Sequence, residues 1–224
     1  MNYGASACEQ APLVLIVDDD HGMRTALFEL LQTVDIEAQC FATTQELLAT
    51  KLPDRPGCLI LDIRMPGLSG LELQNRLIAR EEIKPIIFLT AHGDVPMSVQ
   101  AMKAGAMDFL IKPVRDQTLL DAVSSAIATD IAKRADGRVV GKVVSLFETL
   151  TPREKQVFRA ATLGLLNKQI AFSLGISEVT VKLHRASVMK KMGSTSIADL
   201  VRAWELLPPS MQQDVAWTAV SERI

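Results

Sequence analysis

The sequence predicts a doubly wound α/β domain built on five parallel strands, followed by a small all-α domain. Three observations carry this. Short apolar runs alternate with amphipathic helical patterns over the first 130 or so residues, as in βαβ units. Four of the five runs are continuous rather than alternating, which marks strands covered on both faces. Beyond them the strand signal stops and the charge reverses. Residues 1–130 hold 18 acids and 10 bases, whereas residues 151–192 hold 8 bases against Glu154 and Glu178.

The first run, LVLIV at 13–17, ends in Asp18-Asp19-Asp20, and Met23, Leu27, Leu30 and Leu31 follow at helical spacing. IEAQCFA at 36–42 is a weaker strand. TTQELLATKL at 43–52 is a helix capped by Thr43 or Thr44. CLIL at 58–61 runs into Asp62, and Ser69 caps a helix through Leu71, Leu73, Leu77 and Ile78. IIFL at 86–89 ends at Thr90 and precedes a helix from about Pro96 to Lys103. DFLI at 108–111 is closed by Lys112-Pro113, and a helix from about Gln117 to Ala128 completes the series. Five such units suit the flavodoxin-like strand order 2-1-3-4-5, which places ligands beyond the carboxyl ends of the strands. Asp18, Asp19 and Asp20, then Asp62, Thr90 and Lys112, are the residues at those ends.

Several carboxylates on one rim repel each other unless a cation sits among them. Mg²⁺ suits such a site, being a hard ion that takes oxygen ligands and shares phosphates. Carboxylates also serve as nucleophiles that form aspartyl phosphates, with a lysine and a hydroxyl available to hold the transferred group. Taken singly, Asp18 to Asp20 could simply cap the next helix, and Lys112 and Thr90 could be surface charge and cap. As an ordered set at the strand ends they point to phosphoryl chemistry.

Composition bounds the alternatives. The chain of 224 residues is 48% hydrophobic, enough for a real core, and no apolar stretch is long enough to span a bilayer. Residues 1–11 lack a secretion signal and are expected as a disordered tail on a cytoplasmic protein. Cys8, Cys40 and Cys58 are odd in number and far apart, so neither disulfides nor a zinc site is expected. Cys40 and Cys58 are read as small core residues. His21, His92 and His184 show no ligand spacing.

In the second half, residues 129–146 carry Gly137 and Gly141 among mixed charges and are read as a linker. LTPRE at 150–154 starts a helix, with Thr151 as N-cap, Pro152 at the first helical position and Glu154 closing a capping box. Ile170, Ala171 and Leu174 form one apolar face, Gly175 a turn, and Ser177 a cap. Val181, Val188 and Met192 then mark the buried side of a second helix, giving a helix-turn-helix. Lys182, Arg185 and Lys190 or Lys191 are left for a DNA major groove and its phosphates. Phe158 and Phe172 read as core residues, leaving no stacking platform for single strands or RNA.

V-D-D-D at 17–20, L-D-I-R-M-P-G-L-S-G at 61–70, T-A-H-G-D at 90–94 and F-L-I-K-P at 109–113 resemble a response-regulator receiver domain. That resemblance, over residues 12–128, implies that Asp62 accepts a phosphoryl group from a sensor histidine kinase. It implies that Asp18 and Asp19 hold Mg²⁺, with Asp62 and the backbone carbonyl of Arg64 completing the site. Thr90 and Lys112 would contact the phosphoryl oxygens, Phe109 would be the switch aromatic, and the Lys112–Pro113 bond is often cis in the family. Asp20 and Phe109 depart from commoner Glu and Tyr. Residues 147–207 resemble the four-helix LuxR-type output domain. This implies that Lys182, Leu183 and Ala186 face base edges while Thr180, His184, Arg185 and Lys190 lie near the DNA backbone.

Together the domains resemble the NarL/FixJ class, with G-D-V-P-M at 93–97 leaning toward FixJ. The function implied is a transcription factor that binds double-stranded promoter DNA as a homodimer once phosphorylated, without a membrane. Residues 208–224 form a tail of unassigned role, with Trp217 a candidate packing residue. Two competing readings use the same residues: a Mg²⁺-dependent phosphatase or nuclease, and a signalling protein whose basic domain binds another protein.

Overall fold

The computed structural model describes residues 11–80, 84–91 and 95–215. Cys8, His92, Gly93, Asp94 and Trp217, and residues 1–10 of the expected tail, lie outside them. The chain divides into two compact units, residues 1–134 and 135–224.

The first unit alternates β1 (Leu13–Val17), α1 (His21–Gln32), β2 (Glu37–Phe41), α2 (Thr44–Ala49), β3 (Gly57–Leu61), α3 (Gly70–Ala79), β4 (Ile86–Thr90), α4 (Val95–Lys103), β5 (Asp108–Ile111) and the start of α5 (Asp116–Glu148). The sheet order is β2-β1-β3-β4-β5, and every pairing is parallel. Successive strand residues point to opposite faces, and the two faces bury separate cores. Leu13, Leu15, Leu59, Leu61 and Phe88 pack with Leu47 of α2, Leu73 and Leu77 of α3 and Ala101 of α4. Val14, Ile16, Ile60, Ile87 and Leu89 pack with Leu27 and Leu31 of α1 and Leu119, Val123 and Ala126 of α5. Burial on both faces is why β1, β3 and β4 read as unbroken apolar runs.

β2 and β5 are the edge strands. β2 is largely exposed along its length. β5 is half-buried and ends at the exposed Ile111, contrary to the cover on both faces expected from its continuous apolar run. Cys40 sits on β2 and is exposed, contrary to the core placement expected from its apolar neighbours, whereas Cys58 in β3 is fully buried. Thr43 caps α2 through the Glu46 amide, and Ser69 and Glu72 form a capping box on α3.

Gly70 is where sheet and helix meet. Its amide donates to the Ile63 carbonyl at 2.9 Å. A Cβ placed there would stand 2.3 Å from the Asp62 carbonyl oxygen. Because the obstacle is backbone, Gly70→Ala must push α3 off the end of β3. Urea unfolding should show a loss of about 2 kcal/mol, in the range for overpacking. An unchanged midpoint would mean that α3 shifts there at no cost.

α5 runs 33 residues, to Glu148, so the stretch expected as a linker is helical throughout. Two glycines, each costing about 1 kcal/mol in a helix interior, argued against this. The helix survives because no proline interrupts it, Arg134 Nε pairs with Asp130 at 2.9 Å one turn earlier, and Val143, Val144 and Phe147 pack farther on.

The second unit continues with α6 (Pro152–Thr162), α7 (Asn167–Leu174), α8 (Glu178–Lys191), α9 (Ile197–Glu205) and α10 (Pro209–Gln213). Phe147, Phe158 and Trp204 stack tilted or edge-on around Val188 and Leu200. A second cluster joins Val157, Ala160, Ile170, Ala171 and Val181. α10 was not legible in the sequence; Leu207 and Val215 at its two ends are buried in the aromatic cluster. No helix among the described residues is long and apolar enough to cross a membrane.

Candidate functional site

Three backbone hydrogen bonds hold the strand ends in line. The Asp18 amide donates to Phe41 O at 3.3 Å, Asp62 to Val17 O at 2.9 Å, and Lys112 to Thr90 O at 2.9 Å. The residues predicted from four separate motifs therefore project from one rim of the sheet. The Lys112–Pro113 bond is cis.

The carboxylates divide their work. Asp20 is the N-cap of α1, accepting from the amides of Gly22 at 2.7 Å and Met23 at 3.2 Å, and those bonds hold its pKa below the usual range. Asp18, Asp19 and Asp62 form a cluster, with one carboxylate oxygen of each lying within 4.8 Å of the others. The capping explanation thus accounts for Asp20 and leaves the other two carboxylates to the cluster.

Lys112 bridges the cluster. Its Nζ lies 2.6 Å from Asp18 Oδ2 and 3.1 Å from Asp62 Oδ2. Burial pulls the ammonium's pKa down, but the hydrogen bonds to Asp18 and Asp62 outweigh it and hold Lys112 above the ordinary lysine value. Asp18, only 2% exposed, is pushed up by burial despite the hydrogen bonds from Lys112 and the Asp20 amide. Asp62 Oδ1 accepts from the Arg64 amide at 3.2 Å, and Arg24 Nη1 donates to the Asp18 carbonyl at 2.7 Å. Thr90 is buried at the end of β4. Phe109 is half-buried on β5, its ring centroid 6.3 Å from that of Phe88. Three carboxylates against one lysine form an oxygen-only donor set that a hard divalent cation would fit.

In the second unit the turn between α7 and α8 forms as its residue types require. Gly175 adopts φ 62°, a left-handed C-cap that glycine takes without strain. Ser177 caps α8 through the Thr180 amide. Val181 and Val188 face inward, while Lys182, Leu183, Ala186 and Lys190 lie exposed on the opposite side. Val179, four residues before Leu183 on the same face, is equally exposed at 67%. It belongs to this surface, and the i, i+4 spacing was the signal for it.

Not every basic residue counted in the sequence points outward. Arg185 Nη1 donates to Asn167 Oδ1 at 2.9 Å, and Lys191 pairs with the buried Glu154 at 2.6 Å. Lys191 therefore serves the packing of α8 on α6 rather than an external partner. Lys155 lies over the Phe147 ring and Arg159 over Trp204. Phe158 is core as expected, but Phe172 is 80% exposed on α7, because Ile170 and Ala171 already fill the inner face. His184 and Thr180 are half-buried.

A receiver-type sheet with an acid cluster at its carboxyl rim, in one chain with a helix-turn-helix, defines a two-domain signalling regulator. Residues 14–124 match the response regulator receiver domain, and residues 148–204 match the luxR family of bacterial regulatory proteins. The chain belongs to the two-component response regulators of the NarL/FixJ class, a family of transcription regulators rather than hydrolases. It is 48% identical to nodulation protein W of Bradyrhizobium diazoefficiens over 204 residues, 91% of this chain and 90% of that one. It is 41% identical to the transcriptional regulatory protein FixJ of Azorhizobium caulinodans over 192 residues, 84% of this chain and 90% of that one. Among solved structures, the response regulator StyR matches with TM-score 0.80 and 45% identity, over 88% of this chain and 99% of its own. Full-length FixJ from B. japonicum matches with TM-score 0.52 and 37% identity, over 87% and 96%.

Proposed function

We propose that Asp62 is the phospho-acceptor of a switch that controls promoter binding, charged by a sensor histidine kinase in the cytoplasm. The convergence of Asp18, Asp19, Asp62 and Lys112 on one rim carries this reading. In the transfer an Asp62 carboxylate oxygen forms a bond to phosphorus as the donor's phosphorus–nitrogen bond breaks, leaving an acyl phosphate. Asp18, Asp19, Asp62 and the Arg64 carbonyl would hold Mg²⁺, which when bound neutralises phosphoryl charge. Lys112, already 3.1 Å from Asp62, is placed to ion-pair with a phosphoryl oxygen carried there, and Thr90 supplies a hydroxyl. Phe109 repacks as Thr90 moves inward, and the altered face of β4 and α4 forms the homodimer.

The dimer sets two α8 helices on half-sites one turn of duplex apart. Residues 12–128 act as the receiver, 147–207 as the reader, and 129–146 as the helical connection between them. Lys182, Leu183 and Ala186 read base edges, while Thr180, His184, Arg185 and Lys190 serve the backbone. Asn167 holds Arg185 Nη1, and the other guanidinium donors of Arg185 face phosphate. Anisotropy titration of a promoter fragment tests the coupling. A small-molecule phosphodonor with Mg²⁺ should tighten binding at least about fivefold, the low end of typical coupling energies. Equal affinity with and without donor would remove phosphorylation from DNA control.

The two kinds of contact separate by mutation. Lys190→Ala should weaken all sequences alike and flatten the dependence of log K on log salt by about one ion. Lys182→Ala should instead change the sequences recovered in a binding-site selection. If both variants recover the wild-type sequences, the reading face is misassigned.

A further inference from the structure

A cavity of about 690 Å³ opens at the amino ends of the strands, at the other end of β3 from Asp62. It lies wholly within the first unit. Leu15, Leu47, Leu59 and Leu77 floor it, and each is nearly or fully buried. Its size falls within the range of small-molecule sites, which combine apolar walls with a few convergent polar groups.

Among the described residues the rim is cationic after its internal pairs are counted. Of these residues, Lys51, Lys84, Lys133 and Arg134 line the cavity against Asp54 and Asp130. Arg134 is committed to both acids, and Asp130 also accepts from the Gly57 amide at 2.9 Å. Lys84 stands 4.0 Å from Asp130 with its side chain only 11% exposed, and it donates to the Arg55 carbonyl at 2.6 Å. An ammonium has three donors, so this leaves Lys84 with capacity for another acceptor. Burial holds its pKa below the ordinary lysine value, the state an added anion would relieve. Lys51 and Lys133 are exposed at the mouth.

We propose that this cavity binds a small organic monoanion with an apolar body, an aryl or branched alkyl carboxylate, its carboxylate among Lys51, Lys84 and Lys133 and its body on the leucine floor. Neither the acid cluster nor α8 lines it, so the site is separate from the phospho-acceptor and from the reading helix.

The test titrates the full chain, without phosphodonor, with benzoate and separately with its uncharged isostere benzamide, followed by amide NMR at fixed pH and salt. Benzoate should give saturable shifts at Leu47, Leu52 and Leu77 and bind about tenfold tighter than benzamide. The exposed double variant Lys51→Glu/Lys133→Glu should weaken benzoate about tenfold or more with its melting temperature unchanged. Leu52→Trp, which fills the cavity from its wall, should abolish the shifts from both probes. Absence of saturation, equal affinity for the two probes, or benzoate binding indifferent to the charge reversal would each overturn the proposal.

Discussion

Asp62→Asn is expected to abolish the phosphoryl adduct outright. Intact-mass analysis of the wild-type chain, incubated with a small-molecule phosphodonor and Mg²⁺, should show one added phosphoryl group. EDTA present in the incubation should prevent its formation, because three carboxylates and one lysine leave the rim too negative to receive a phosphate without a cation. Asparagine keeps the size of Asp62 and still lets its side-chain oxygen accept from the Arg64 amide, but it has no carboxylate to attack phosphorus. Folding should survive, since Lys112 retains its 2.6 Å partner, Asp18. Asp18 competes as acceptor, yet it is more deeply buried than Asp62 and holds Lys112 more closely, at 2.6 Å against 3.1 Å. An adduct persisting at reduced yield in Asp62→Asn would shift the acceptor to Asp18 or Asp19. A full-yield adduct would place it outside the rim and would falsify the assignment.

The strand ends were legible for a physical reason. A parallel strand covered on both faces must be apolar throughout, so the first polar residue at its end marks the rim, as at Asp18, Asp62 and Thr90. What the sequence could not show was which neighbour uses an exposed-looking charge. Periodicity sorts residues onto faces of their own element, and Lys191 lies on the polar side by pattern although its partner, Glu154, is 37 residues away. Cys40 and Phe172 failed in the opposite sense. Each sits in an apolar context, but an edge strand and an already filled helix face leave them outside. The continuity of α5 through Gly137 and Gly141 was hidden because local propensity opposes it and packing of Val143, Val144 and Phe147 overrides it. Gly70 was visible only as a letter in a motif, and its reason is the Asp62 carbonyl 2.3 Å from where a Cβ would stand.

Glu154→Ala is expected to cost the helical unit about 3 kcal/mol, because one carboxylate serves two structural roles there. It closes the capping box of α6, accepting from the Thr151 amide at 2.8 Å, and it ties α6 to α8 through Lys191 and Ser187. Alanine leaves the cap half-made and the Lys191 ammonium without its carboxylate. Trp204 is buried in the aromatic cluster of the second unit, and no tryptophan occurs in residues 1–134, so fluorescence-detected urea unfolding reads that unit. Glu154→Gln separates charge from shape and exposes a pH dependence. Burial works against the Glu154 carboxylate, but the bonds from Lys191, Ser187 and Thr151 win and lower its pKa from 4.5 to about 2. A depressed acid contributes stability that is fully present above its unfolded pKa and is lost as pH falls through its folded one. The wild-type unit should therefore lose stability steadily from pH 4.5 down to about 2, and Glu154→Gln should lose less over that window. Parallel curves for the two proteins would show that the charge of Glu154 adds nothing, and that α8 is held on α6 by its apolar contacts alone.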